Sequence, residues 1–198
     1  CYDKDEKLLL KLKKGLFDLE FEYGLEKLKN NGNPLNFFLD LETTLKDTEI
    51  CFITVPTPSN EDGSFSNDYI LDCLSEISKY LNLRSKNKIK SDPYIININS
   101  TVSPNTFREI LIPFLEKKGF INNKDFSFIY NPYFVALGDV ISGLKHPDVI
   151  LVGCENHAAK RIIKYIYDRI YNNPNISFMS LDEAELTKLL VNTYLTLK

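Results

Sequence analysis

Hydrophobic positions along this chain fall into short unbroken apolar runs separated by stretches spaced every three to four residues. These are the patterns of buried strands and amphipathic helices. Asp5 to Lys14 carries apolar residues at 8, 9, 10 and 12 and meets Gly15 as a stop, which predicts a helix. Residues 21 to 30 predict a second short helix, closed by Asn30-Asn31-Gly32-Asn33-Pro34. Ile50 to Val55, bounded by Pro56, predicts a strand buried on both faces. Ser66 or Asn67 can cap a helix reaching about Leu83, with Ile70, Leu74, Ile77 and Leu81 on one stripe. Tyr94 to Ile98 predicts another buried strand, and Thr106 to Lys118 a helix kinked or broken at Pro113. Phe126 to Tyr130 and Val149 to Val152 predict further strands. Asn156 to Tyr171 predicts an amphipathic helix with Ile162, Ile163, Ile166 and Ile170 inward. After a short strand at Ile176 to Met179, Ser180 and Glu183 form a capping box that opens a helix running to the end.

Strands alternating with helices imply crossover connections and a mainly parallel sheet with helices on both faces, an α/β fold. Such a sheet binds ligands beyond the carboxyl ends of its strands. The residues there are Val55-Pro56-Thr57-Pro58, then Asn99-Ser100-Thr101-Val102-Ser103-Pro104-Asn105-Thr106, then Tyr130-Asn131-Pro132-Tyr133-Phe134. Each loop combines backbone-fixing prolines with hydroxyls or amides able to hydrogen-bond a ligand. A single proline after a strand is an ordinary terminator. Three such loops on one edge point to one ligand crevice.

Composition narrows the class. The chain has 198 residues, 43% hydrophobic and 26% charged, which suits a folded domain and excludes a disordered tail. The net charge of −3 offers no basic field for nucleic acid. No apolar run approaches the roughly 20 residues of a membrane span, and no secretory leader is visible. The chain opens Cys1-Tyr2-Asp3, as though entered partway through a strand. Cys1, Cys51, Cys73 and Cys154 form no CxxC pair, so neither a zinc site nor a dithiol motif is indicated. A reducing cytoplasmic setting follows. His146 and His157 have no acid or cysteine cluster spaced to join them around a metal, and both are read as surface residues.

Two further features carry candidate chemistry. Asp3 follows a short apolar stub and precedes a helix, where dinucleotide folds place the carboxylate that binds the adenosine ribose hydroxyls. An aspartate there also serves as an N-cap. In the last helix Glu185, Lys188 and Asn192, three and four apart, share a face among Leu186, Leu189, Leu190, Val191, Tyr194 and Leu195. That stripe is either a buried polar site or a Glu–Lys pair snorkelling to water.

These motifs occur together in a known order. Asp3, Val-Pro-Thr-Pro at 55–58, the Asp62-Gly63 turn, Ser-Thr-Val at 100–102, Asn-Pro-x-Phe at 131–134, His-Pro-Asp at 146–148 and Ala-Glu-Leu-x-Lys-x-x-x-Asn at 184–192 follow one another as in the UDP-glucose/GDP-mannose dehydrogenases. The chain resembles that family along its whole length. The resemblance implies a Rossmann-like, doubly wound NAD-binding part over 1–179, lacking its first strand and glycine-rich turn, with 180–198 as the start of a long central helix. It implies NAD-dependent oxidation of a nucleotide-sugar alcohol to the acid, through an aldehyde and a cysteine thioester. Carried over, Asp3, Val55, Pro56, Thr57, Ser100 and Thr101 would hold NAD. Thr101 would also help place the water, and Phe134, Val135, Ala136 and Leu137 would line the sugar. Lys188 and Asn192 would contact substrate and stabilise the oxyanion, and Tyr133 joins them as a catalytic position. A homodimer through the central helix is the implied assembly, with no nucleic acid, membrane or metal.

The chain departs from the family in three places. Tyr133 stands where the family usually has Glu, Ala136-Leu137 where an Arg/Lys-Glu pair often precedes Gly138, and Asn105 where Pro-Gly-Thr has its glycine. The family's catalytic cysteine lies in its second half, so none of the four cysteines takes that role. Another NAD-dependent dehydrogenase acting on a hydroxy acid, or a non-catalytic nucleotide-binding remnant, are the competing readings.

Overall fold

The structure, a computed structural model, describes residues 1–14, 35–86, 92–135 and 138–197. The proposed helix at 21–30, Gly15, Ala136 and Leu137 lie outside these residues. The chain divides into two units. One comprises Cys1–Thr48 with Phe134–Asp148, the other Glu49–Tyr133 with Val149–Lys198.

The first unit contains α1 (Glu6–Lys13), α2 (Leu41–Leu45) and a short helix at Val140–Lys145. Tyr2 bridges Phe38 in parallel, and the Cys1 amino group donates to the Asn36 carbonyl at 2.6 Å. Asp5 caps α1, its carboxylate accepting from the N–H groups of Lys7 and Leu8 at 2.9 and 3.0 Å. Sequence periodicity misses both α2 and the helix at Val140–Lys145, because five or six residues are too few to display a helical repeat.

The second unit holds a five-stranded sheet in the order β1 (Ile50–Ile53), β2 (Tyr94–Ile98), β3 (Phe126–Tyr130), β4 (Ile150–Gly153), β5 (Ile176–Met179). The pairs β1–β2, β2–β3 and β4–β5 are parallel, and β3–β4 is antiparallel, meeting at Tyr130 and Gly153. Strand direction is invisible in an apolar run, so the antiparallel junction could not be read from the sequence. Nor is β1 buried on both faces. It lies at the edge of this sheet, and Phe52 is 42% exposed. By contrast every residue of β2 and β3 is buried.

Alternation along β3 sorts the two faces. Phe128 and Tyr130 meet Phe107, with ring centres 5.4 and 5.3 Å apart. On that same side Tyr80 of α3 (Asp68–Lys86) packs edge-on against Tyr94 of β2 at 5.3 Å. The α3 stripe of Ile70, Leu74, Ile77 and Leu81 is buried as its spacing predicts. Phe107 opens a π-helical turn, Phe107–Leu111, which runs into α4 (Ile112–Glu116). Pro113 has no N–H to give and sits at the start of α4, so the change of helical register falls where the proline allows it.

On the opposite face α6 (His157–Ile170) buries Ala159, Ile163 and Tyr167 against Ile95, Ile129 and Val152; the short helix at Val140–Lys145 is α5. Ile170 is 59% exposed, so the inward stripe turns through Tyr167 instead of ending at Ile170. The capping box opens α7 (Leu181–Leu197), with Glu183 accepting from the Ser180 N–H at 2.8 Å. Its first turn presses on the end of β4. A Cβ on Gly153 would fall 2.6 Å from the Ala184 Cβ, so only glycine allows this approach.

Ile163→Ala leaves a cavity in the core and is expected to cost 2–5 kcal/mol, whereas Ile170→Ala should change stability by less than about 0.5 kcal/mol. Urea denaturation of the two variants checks the orientation of α6.

Candidate active site

The loops that follow β1 and β2 are stitched together by their hydroxyls. Thr57 Oγ1 donates to the Thr101 carbonyl at 2.7 Å, and Ser100 Oγ to the Val55 carbonyl at 2.5 Å. Parallel pairing puts both loops at the carboxyl edge, so Val55, Pro56, Thr57, Ser100 and Thr101 form one rim. The Asp62-Gly63 turn joins it. Gly63 takes φ +83°, and Phe65 N–H, just past the turn, donates to Ser103 Oγ at 3.0 Å.

Asn105 has φ +66°, the left-handed region that glycine occupies freely and asparagine tolerates. A glycine at this position would fit the same backbone bend without strain. That bend aims the N–H groups of Asn105 and Phe107 at the Glu185 carboxylate, at 2.7 and 2.9 Å. Glu185 is fully buried, and burial raises its carboxyl pKa although the N–H donors pull the other way. Its role is to hold the start of the π-helical turn against α7.

Lys188, one turn further along α7, is 5% exposed, so the snorkelling alternative fails on burial. Its Nζ donates to the Tyr133 carbonyl at 2.7 Å and to Asn192 Oδ1 at 3.3 Å. Burial lowers the ammonium pKa. The stripe on α7 thus touches two of the three strand-end loops: Glu185 at the loop after β2, Lys188 at the loop after β3. Tyr133 itself is 37% exposed, and burial of its phenol with Tyr171 beside it pushes the hydroxyl pKa up. At neutral pH this phenol keeps its proton, where a glutamate in water would be ionised.

The loop after β3 begins at Asn131, which ties four elements. Its N–H donates to the Ile98 carbonyl at 2.9 Å, and its carbonyl accepts from Asn99 Nδ2 at 2.6 Å. Its Nδ2 donates to the Leu151 carbonyl at 2.7 Å, and its Oδ1 accepts from the Tyr167 hydroxyl. Asn131 stood out in the sequence only as part of a motif, and Tyr167 did not stand out at all. A remote hydroxyl-to-amide bond leaves no trace in periodicity.

The remaining predicted residues lie as follows. Asp3, Phe134 and Val135 belong to the first unit. Asp3 is exposed, and its Oδ1 accepts from the Asp5 N–H at 2.9 Å, while Asp5 is the residue that caps α1. Asp3 is therefore not the cap of α1. Val135 packs against α5, where a Cβ on Gly143 would lie 3.3 Å from Val135 Cγ1. His146 and His157 are exposed. Burial pushes the Cys51 thiol up to about 12 and raises that of Cys154, so neither offers a thiolate nucleophile. Beside the rim a hollow of about 360 Å³ opens between Asn60, Ser66, Asn67, Ser103, Asn105 and Glu109, and Thr57 and Thr101 are not among its walls.

Comparison with known proteins gives this geometry its setting. Residues 1–171 match the UDP-glucose/GDP-mannose dehydrogenase family, NAD binding domain. A UDP-glucose 6-dehydrogenase of Rickettsia bellii is 31% identical over 202 residues, covering all of this chain and 43% of its own length. A UDP-glucose 6-dehydrogenase of Rhizobium meliloti is 30% identical over 205 residues, covering all of this chain and 44% of its own length. The chain thus spans less than half the length of these relatives. In fold it matches a GDP-mannose dehydrogenase from Pseudomonas aeruginosa with a TM-score of 0.85 at 24% identity, over 98% of this chain and 44% of that one. A UDP-glucose dehydrogenase from Pyrobaculum islandicum follows at 0.82 and 24%, over 98% and 43%.

Replacing Glu185 by Gln puts an NH2 against one of two buried N–H donors and is expected to cost 1–3 kcal/mol near neutral pH. The pH dependence has a definite sign. A carboxyl whose folded pKa is raised stabilises the fold most below its unfolded value and loses that contribution as pH rises through the folded value. Wild-type stability should therefore fall across this window, from about pH 4.3 upward, relative to the Gln variant. Denaturation curves at a series of pH values measure both effects.

Proposed function

The chain belongs to the UDP-glucose/GDP-mannose dehydrogenase family through its NAD-binding domain, and we propose that it works in the oxidation of a nucleotide sugar at its primary alcohol. The observation that carries this reading is the seat of Lys188. A buried ammonium, anchored to the loop after β3 and to Asn192, stands on the same helix whose Glu185 holds the loop after β2. Charge fixed in advance in a water-poor site stabilises a developing oxyanion far better than the same charge in water.

In this reading the rim of Val55, Pro56, Thr57, Ser100 and Thr101 holds the nicotinamide side of NAD, and Asp3 holds the adenosine ribose. NAD supplies the hydride acceptor for both oxidations. A carboxylate at Asp3 favours NAD over its 2′-phosphorylated form, which it would repel. Phe134 to Leu137 line the sugar, and Lys188 with Asn192 stabilise the oxyanion. The intermediate aldehyde is trapped on a cysteine that is none of the four in this chain, passes to a thioester and is hydrolysed to the acid. Tyr133 contributes through its backbone carbonyl, which holds Lys188. Its phenol cannot replace a carboxylate as a base. We assign 1–179 to the cofactor-binding part and 180–198 to the start of the central helix, through which a homodimer forms in the cytoplasm.

Assay of the complete gene product tests this. Two NADH should form per nucleotide sugar consumed, with UDP-glucose, a UDP-N-acetylhexosamine or GDP-mannose as substrate, and none from a 2-hydroxy acid. The opposite preference, or no turnover on any of them, rejects the reading. The 198 residues on their own should show no turnover. Within the active protein Lys188→Ala should lower kcat by roughly 10²–10³, the loss typical of one oxyanion donor, and Lys188→Arg should also do poorly because a planar fork does not imitate a compact ammonium.

A further inference from the structure

We propose that Tyr167 is a positioning residue for Lys188, acting through Asn131. The inference rests on Lys188 belonging to the reacting site. Tyr167 lies on α6, on the far side of the sheet from α3, and has no place in the chemistry proposed above. Its ring is 5% exposed, stacked on Tyr171 with centres 5.8 Å apart, and its hydroxyl donates to Asn131 Oδ1.

That bond is one of three that set which way the Asn131 amide faces, with Asn99 Nδ2 donating to the same Oδ1 at 3.4 Å and Nδ2 donating to the Leu151 carbonyl. With Oδ1 accepting from Tyr167, Nδ2 is turned to the Leu151 carbonyl, and this joins the loop after β3 to the antiparallel strand β4. The β3–β4 junction has one registered residue pair, Tyr130 with Gly153, so the side-chain bond extends a short ladder. The main chain of Asn131 is held from the other side by Asn99 and Ile98. One residue of fixed φ, Pro132, separates this knot from Tyr133. The Tyr133 carbonyl then accepts from Lys188 Nζ at 2.7 Å. Every link from Tyr167 to Lys188 is thus a hydrogen bond or a stiff backbone step within one unit. Asn97 continues the knot, its Nδ2 donating to Asn99 Oδ1 at 3.2 Å. A purely apolar residue at 167 would fill the same space without bonding the amide.

The test is Tyr167→Phe in the complete gene product, with the Lys188 side chain followed by its 13Cε resonance, assigned through Lys188→Gln. Loss of the hydroxyl should let the Tyr133 carbonyl drift while the ammonium stays buried. A buried ammonium that loses an acceptor holds its proton less tightly, so its titration midpoint should fall by about one unit. Tyr165→Phe, on the exposed side of the same helix, should leave the midpoint unchanged. If Tyr167→Phe does not fold, Asn131→Ser removes the amide through which the Tyr167 hydroxyl acts and carries the same expectation. A midpoint that stays or rises in the folded variant overturns the proposal. A midpoint that falls supports it even if Lys188→Ala retains full turnover. That second result would reject the functional reading of Lys188 and leave the positioning link standing.

Discussion

The architecture of the candidate site depends on the buried carboxylate of Glu185. Leu181 and Ala184 are buried in the first turn of α7, and apolar contact alone would leave the rotation of that helix loosely defined. Glu185 instead accepts two N–H groups from the bend at Asn105 and Phe107, which opens the π-helical turn. Those donors would be orphaned at the start of any helix, and a buried orphan costs about 1–3 kcal/mol. One side chain therefore satisfies the loop after β2 and fixes the rotation of α7. That rotation carries Lys188 to the loop after β3.

The same solution recurs on the other side of the sheet. Asn131 satisfies backbone groups of β2 and β4 at once, and its Oδ1 accepts from the Tyr167 hydroxyl. Buried polar groups in a dry interior are costly when unpaired and specific when paired. The strand-end loops of this chain are accordingly held in place by a few side-chain hydrogen bonds that run beneath them. The hydroxyl stitches of Thr57 and Ser100 complete the rim above.

Much of this was legible in the residues. The stripe of Ile70, Leu74, Ile77 and Leu81, the Ser180–Glu183 capping box and the apolar runs at 94–98 and 126–130 declare their burial through spacing. The α7 stripe leaves a buried polar site and a snorkelling Glu–Lys pair both open, and only the burial of Glu185 and Lys188 decides between them. Long-range pairing is where sequence reasoning ends. The antiparallel turn of β4, the exposure of Phe52 on an edge strand and the outward placement of Ile170 all depend on neighbours remote in the chain. Asn105 illustrates the reverse case. It stands where the family usually has glycine, and it adopts a left-handed backbone of the kind that glycine also takes freely.

The central claim is that the rim of the first two strand-end loops, fastened to α7 by Glu185, is where the nicotinamide of NAD sits. Intermolecular NOEs between bound NAD and 13C-labelled threonine methyls in the complete gene product test it directly. The account predicts contacts from the nicotinamide protons to the methyl groups of Thr57 and Thr101. Contacts confined to the neighbouring hollow, at the Thr106 methyl beside Asn60 and Glu109, would contradict it.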